Sequence, residues 1–324
     1  MRQVRIGDIT IDAVIEREGP WRRPQDFFPA YDEAIFKRHL PTMEPEVFDQ
    51  ALGMMVITYQ TFVVRTPHYT ILVDTCTGED KGHPPPFDFP GKERWRNELF
   101  ALGVAYDKVD YVFCTHLHID HTGWNTTLRD GRWVPTFPNA KYIFHRKEYA
   151  AWEAEHAKGA NPPGTVFRDN CLPIVEAGQA LLVDDDYALD DTITLTPTPG
   201  HSPCHCCVNI FSRGKRAVVT GDMMHHVIQC RDPTGRRGST GMESRLRCRA
   251  GSFYPPSRTP IRRFCRSIFR GRLWVWSRRM GIDSTTGSNA SELTRYGSPL
   301  SGFQCAREIS VKQAPGRWSA RKSA

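Results

Sequence analysis

The 324-residue chain reads as an α/β protein of layered sheets flanked by helices. Three observations predict this. Apolar stretches of strand character recur through residues 1–230, spans with helical spacing fall between them, and several strands end in polar tips rich in histidine and aspartate. With 40% of its residues hydrophobic, the chain can bury a sizeable core.

The stretch MRQVRIGDITIDAVIE is charged from its second residue and alternates apolar with polar, which predicts a strand and not a secretory h-region. MMVITYQTFVVRT and YTILVDT follow as strands, the second ending in a turn. KERWRNELFALGV spaces Trp95, Leu99 and Leu102 as a helix does. VDYVFCT and AKYIFH read as buried strands, and RKEYAAWEAEHA as a helix rich in Ala and Glu. ALDDTITLTPTPGH and KRAVVTGD each repeat the theme of an apolar strand with a metal-capable tip. Two aromatic stretches, GPWRRPQDFFPAYDEAIF and GHPPPFDFPGKERW, read as irregular loops; as a rim over a pocket they imply a substrate with an apolar portion.

The formal net charge of +7 averages two unlike segments. Residues 1–230 carry 23 Lys+Arg against 31 Asp+Glu. Residues 231–324 carry 20 Lys+Arg, 18 of them Arg, against 5 Asp+Glu, and none of the twelve histidines. This basic tail is dominated by Arg, Ser, Gly and Pro, lacks periodicity and is expected to be poorly ordered. The predicted organisation is therefore a metal-binding domain over 1–230 and a tail over 231–324. No run approaches 18 apolar residues, so a cytoplasmic protein without a membrane span is expected, its ten cysteines reduced.

The chemistry concentrates in CTHLHIDHTGWN, residues 114–125. Imidazole nitrogens and carboxylate oxygens suit Zn²⁺ and similar divalent ions. In Thr115 to His121, His116 and His118 stand two apart at a strand end, so both face one ion, while Asp120 and His121 point toward a neighbouring position. TPTPGHSPCH puts His201 on a Pro/Gly-rich loop after a strand, and VVTGDMMHH puts Asp222 at the end of the next.

Together with VDTCTGED, these segments make residues 1 to about 230 resemble the metallo-β-lactamase fold superfamily of metal-dependent hydrolases. The resemblance implies a four-layer αββα sandwich with metals at one edge of its two sheets. By position it implies that His116, His118 and His201 hold a first metal, that Asp120 and His121 hold a second, and that Asp222 bridges them. Asp74 matches an aspartate that supports the site without ligating. Two such ions, roughly 3.5–4 Å apart, lower the pKa of a bridging water toward about 7 and supply hydroxide at neutral pH. Asp120 would orient that nucleophile and deliver a proton to the leaving group. The implied activity is hydrolysis of a small ester, lactone or related acyl substrate with one or two Zn²⁺ ions or other divalent metals. A thioester hydrolase like glyoxalase II and a β-lactamase are the alternatives within the fold.

Three further features stand close to these motifs. His205, four after His201, reads as a supporting residue. Cys204, Cys206 and Cys207 form a CxCC cluster without the CxxC spacing of structural zinc sites, and read as small core thiols. His225 stands where the family's quorum-quenching lactonases carry a substrate-contacting tyrosine; it is a candidate substrate-binding residue, and its identity weighs against a homoserine-lactone substrate.

The resemblance also implies one more histidine for the second metal, well downstream, and the chain has none after His226. Codons for residues 263–277, read two bases along, permit LPIHFPRPTVGLV, with its first Leu forced by Phe264 and Cys265 and its Gly by Trp274 and Val275. The tail is therefore read as an out-of-frame translation beginning near residues 231–235. If the tail is instead the true product, the second site is weakened, and a catalytically dead relative becomes the competing reading. The arginines alone suggest nucleic-acid binding, which the acidic folded part opposes.

Overall fold

The structure, a computed structural model, describes residues 3–28, 31–159, 164–231, 267–269 and 273–276. Fifteen strands occur among them. They are β1 (Val4–Ile6), β2 (Ile9–Arg22), β3 (Phe48–Asp49), β4 (Met54–Arg65), β5 (Thr70–Val73), β6 (Tyr111–Phe113), β7 (Thr126–Arg129), β8 (Arg132–Pro135), β9 (Lys141–His145), β10 (Ala180–Val183), β11 (Ile193–Pro197), β12 (Cys206–Ser212), β13 (Lys215–Val219), β14 (Ser267–Phe269) and β15 (Leu273–Trp276). The helices are α1 (Pro24–Phe27), α2 (Glu33–His39), α3 (Glu93–Ala101), α4 (Arg146–Ala157), α5 (Gly164–Asn170), α6 (Leu172–Glu176) and α7 (Ile228–Arg231).

The first sheet runs β1-β2-β4-β5-β6-β9-β10, with β3 also paired to β4. It is antiparallel from β1 to β5 and parallel from β5 through β6 and β9 to β10. The second sheet, β11-β12-β13-β15-β14, is antiparallel throughout. The period of two along each strand decides which core a side chain joins. Ile71 and Val73 of β5, Phe113 of β6 and Ile143 of β9 meet Ile193, Val208, Ile210, Ala217 and Val219 of the second sheet. Their neighbours Leu72, Val112, Tyr142 and Phe144 turn the other way, onto a core built with Trp95 and Leu99 of α3, Tyr149 and Trp152 of α4, and Phe167 of α5. Two sheets face to face with helices packed behind the first match the expected sandwich.

The apolar runs predicted as strands are β2, β4, β5, β6, β9, β11 and β13, and the two predicted helices are α3 and α4. One expected loop differs. The stretch from Gly19 contains the end of β2 and two short helices, because Pro24 at the first turn of α1 and the Asp32 cap on Ala34 N and Ile35 N stabilise helix starts. The predicted 230/231 boundary is crossed at β15, which pairs with β13 from Arg216↔Trp276 to Val219↔Leu273. LWVW is composed of residue types that favour strands, and β13 otherwise offers an unpaired edge. β14 pairs in turn with β15, and the rest of the tail, and with it the expectation of disorder, lies outside the described residues. Among the described residues no helix is long and apolar enough to cross a membrane.

Candidate metal centre

Four segments converge at one end of the sandwich: the turn after β5, the loop after β6, the loop between β11 and β12, and the turn after β13. The loop after β6 carries His116, His118, Asp120 and His121. The β11–β12 loop carries His201, and the turn after β13 carries Asp222 and His225. His118 Nδ1 lies 2.9 Å from His116 Nε2 and 2.8 Å from His201 Nε2. His121 Nε2 lies 3.3 Å from Asp222 Oδ1 and 3.6 Å from Asp120 Oδ2. Asp222 Oδ2 faces His201 Nε2 at 3.4 Å and His225 Nε2 at 3.1 Å. Asp222 thus offers one oxygen to each histidine group. All six predicted ligands are brought together.

The imidazoles are oriented from behind. Asp74, at φ 60° in the turn after β5, accepts from Thr115 N at 2.8 Å and from Thr115 Oγ1. It also accepts from His121 Nδ1 at 2.9 Å, which leaves His121 Nε2 turned toward the two carboxylates. Thr115 Oγ1, whose O–H donates to Asp74, accepts from His116 Nδ1 at 3.1 Å, and His116 Nε2 is left for the centre. His205 Nε2 accepts from Asp222 N at 3.0 Å and its Nδ1 meets Thr198 Oγ1 at 2.7 Å, so both nitrogens are engaged and His205 anchors the Asp222 backbone. Gly221 permits this approach: a Cβ there would stand 2.5 Å from His205 Nε2.

Charge separates the two halves. Burial pushes the pKa of His116 and His118 down, and that of His201 to about 3, so this trio presents neutral donors. Burial works the same way on His121, but the carboxylates of Asp222, Asp120 and Asp74 outweigh it and raise its pKa to about 10. His121 Nε2, fully buried, faces the carboxylate oxygens of Asp222 and Asp120, surroundings that call for positive charge. The ligand atoms of His116, His118 and His201 lie within 4.8 Å of one another, as do those of His116, His121 and Asp222, and each set has the chemistry of a divalent-ion site; Asp120 flanks the second, 3.6 Å from His121 Nε2.

Sequence reasoning missed Glu148. It sits on the buried face of α4 and accepts four hydrogen bonds. Oε1 takes Leu117 N at 3.3 Å and Trp152 Nε1 at 2.8 Å; Oε2 takes Ser202 Oγ at 2.9 Å and Cys204 N at 2.6 Å. One carboxylate therefore ties the His116/His118 loop to the His201 loop, while Trp152 packs edge-on against the His118 ring at 5.4 Å. Glu16 does the same for the floor. It accepts from Thr77 N and Oγ1, Gly78 N and Trp124 Nε1, and thereby holds the β5 turn against the segment after His121.

Aromatic side chains gather from the two stretches expected as loops. Phe27 of α1 meets the His225 ring at 5.2 Å, nearly perpendicular. Tyr59 packs with Trp21, Phe87 and Phe89, bringing the two aromatic stretches together.

Fold and site define a class. The family model of the metallo-beta-lactamase superfamily matches residues 57–255. The chain belongs to that superfamily, whose members bind divalent metals. Among curated proteins it is 36% identical over 113 residues to the N-acyl homoserine lactonase AttM of Azorhizobium caulinodans, a match covering 33% of this chain and 38% of that protein. It is 30% identical over 114 residues to an N-acyl homoserine lactonase of Bacillus thuringiensis, covering 35% and 38%. The chain thus spans well under half the length of these relatives. Among solved structures, AidC, described as a dizinc quorum-quenching lactonase, superposes with a TM-score of 0.57 at 17% identity, over 78% of this chain and 84% of that one. The hydrolase AbOPH gives 0.55 at 24% identity, over 71% and 77%. These likenesses show the fold.

Proposed function

We propose that this protein is a metal-dependent hydrolase of a small lactone or ester bearing an apolar group. The observation that carries the reading is the convergence of His116 Nε2, His118 Nδ1 and His201 Nε2 beside Asp222, whose other oxygen faces His121. His116, His118 and His201 would hold one ion, Asp120 and His121 another, and Asp222 both. When bound, zinc or a similar divalent ion brings water's pKa near neutrality and polarises a carbonyl oxygen.

The remaining work falls to the chain itself. Asp74 and Thr115 fix the imidazole orientations, and Glu148 fixes the spacing of the two histidine loops. Asp120, the most accessible carboxylate of the cluster, receives a proton from the attacking water and passes it to the leaving oxygen. His225 Nε2 faces Asp222 Oδ2 at 3.1 Å, with the Phe27 ring against its side, and would turn that one N–H from the carboxylate to a substrate oxygen when substrate enters. The aromatic rim covers the acyl portion and excludes water from it. Support for a lactone comes from the AttM and B. thuringiensis relatives, both named for that activity.

A panel of lactones, aryl esters, thioesters, phosphotriesters and β-lactams, assayed with and without added Zn²⁺, tests the reading. Metal-dependent turnover of lactones or aryl esters, rising with acyl length, is expected. Preference for the thioester or the β-lactam, or turnover indifferent to chelation, counts against it.

A further inference from the structure

A second cluster of metal-capable donors lies outside the His/Asp centre. His145 closes β9 in the first sheet, Cys204 lies in the loop after His201, and Cys206 opens β12 in the second sheet. Their ligand atoms all lie within 4.8 Å of one another, and the residues are 3%, 4% and 1% exposed. We propose that His145 Nε2, Cys204 Sγ and Cys206 Sγ form a separate binding site for a thiophilic divalent cation of the zinc and cadmium type.

Donor chemistry and spacing both favour this. Tetrahedral zinc with sulfur at about 2.3 Å and nitrogen at about 2.0 Å sets its donors roughly 3.5–3.8 Å apart. His145 Nε2 and Cys204 Sγ already stand at 3.8 Å. Asp185 Oδ1, 3.0 Å from the same imidazole nitrogen, offers an oxygen as fourth donor on the exposed side, where Lys147 now pairs with it at 2.8 Å. The backbone is held before any ion arrives: Cys204 N donates to Glu148, and Cys206 N donates to Thr115 O at 2.8 Å. Cys204 and Cys206 are two apart with no CxxC spacing, and the third donor is 59 residues upstream of Cys204, so the set emerges only when the two sheets meet.

Binding is a proton exchange. The cation takes two thiolates and the Nε2 lone pair, two thiol protons leave to solvent, and the imidazole proton moves to Nδ1. The last step ends the 3.3 Å acceptance from Lys147 N at the start of α4. That loss makes the site weaker than one with all donors pre-set.

Cobalt is the probe, because only sulfur ligation gives an intense thiolate-to-cobalt charge-transfer band in the near ultraviolet. The His/Asp centre has no sulfur. The full chain, stripped of metal and reduced, is titrated with Co²⁺. The band should saturate at one equivalent and survive H116A/H201A. It should vanish in C204S/C206S while cobalt still binds through the His/Asp donors. His145→Gln leaves both thiols and should weaken the band's titration at least tenfold. No band in the wild-type chain overturns the proposal, as does a band that persists unchanged in both C204S/C206S and His145→Gln. Failure here leaves the hydrolase reading intact, since that rests on other residues.

Discussion

Replacing Glu148 with glutamine separates the positioning of the metal loops from their ligand chemistry. The side chain keeps its size, and neither a proposed ligand nor a substrate contact is touched. The carboxylate accepts four hydrogen bonds, of which three come from donors that cannot reverse: Leu117 N, Trp152 Nε1 and Cys204 N. An amide accepts through one oxygen only. Its least costly orientation turns the NH₂ toward Ser202, whose hydroxyl can rotate, and leaves Cys204 N–H buried and unpaired. One unsatisfied buried donor costs about 1–3 kcal/mol, and the surviving bonds lose their charge assistance. We expect the metal-free protein to lose about 2–4 kcal/mol in urea denaturation. Because the groups behind metal ligands set ligand orientation, zinc affinity measured against a chromophoric chelator should fall about 10- to 100-fold. Unchanged stability together with unchanged zinc affinity would refute the role given to this carboxylate.

Other outcomes follow from the same structure. Burial, with Lys92 and Lys81 nearby, lowers the His83 pKa to about 4. The unfolded chain therefore takes up this proton first as pH falls below about 6.5, and His83 by itself should contribute about 2 kcal/mol of lost stability between pH 7 and pH 5. His83→Gln should remove that part of the slope, as read from paired urea titrations. A Cβ at Gly123 would lie 1.9 Å from the Thr77 carbonyl carbon, so Gly123→Ala must push the β5 turn away and should destabilise by more than about 3 kcal/mol, seen as a lowered Tm. His225→Phe keeps the packing with Phe27 but removes the donor beside Asp222. Lactone kcat/KM should drop about 10- to 100-fold while zinc stoichiometry stays the same.

The ends of strands were the most legible part of this sequence. An apolar run of four to seven residues followed by THLHIDH, TPGH or TGD announces both the strand and what its tip carries, and these segments supply the turns and loops that meet at the centre. Glu148 was invisible because it is one of three glutamates in α4, and only packing against Trp152 and the β11–β12 loop distinguishes it from Glu153 and Glu155. The strand β12 was obscured by its cysteines, which suggest thiol chemistry before they suggest a pleat. His145 gave no signal as a partner of Cys204, since the contact is made by two sheets coming together. The frame-shift reading of the tail falls largely on residues outside those described. Resequencing the coding DNA decides it, with a restored downstream histidine as the expected result.

The proposed chemistry depends on three imidazoles from two distant loops sharing one ion. Anomalous diffraction at the zinc absorption edge, from zinc-soaked crystals of the full chain, addresses it directly. A leading peak is expected about 2.0–2.1 Å from His116 Nε2, His118 Nδ1 and His201 Nε2 together. A zinc-saturated crystal whose strongest peaks lie elsewhere, with no density among those three nitrogens, would contradict it.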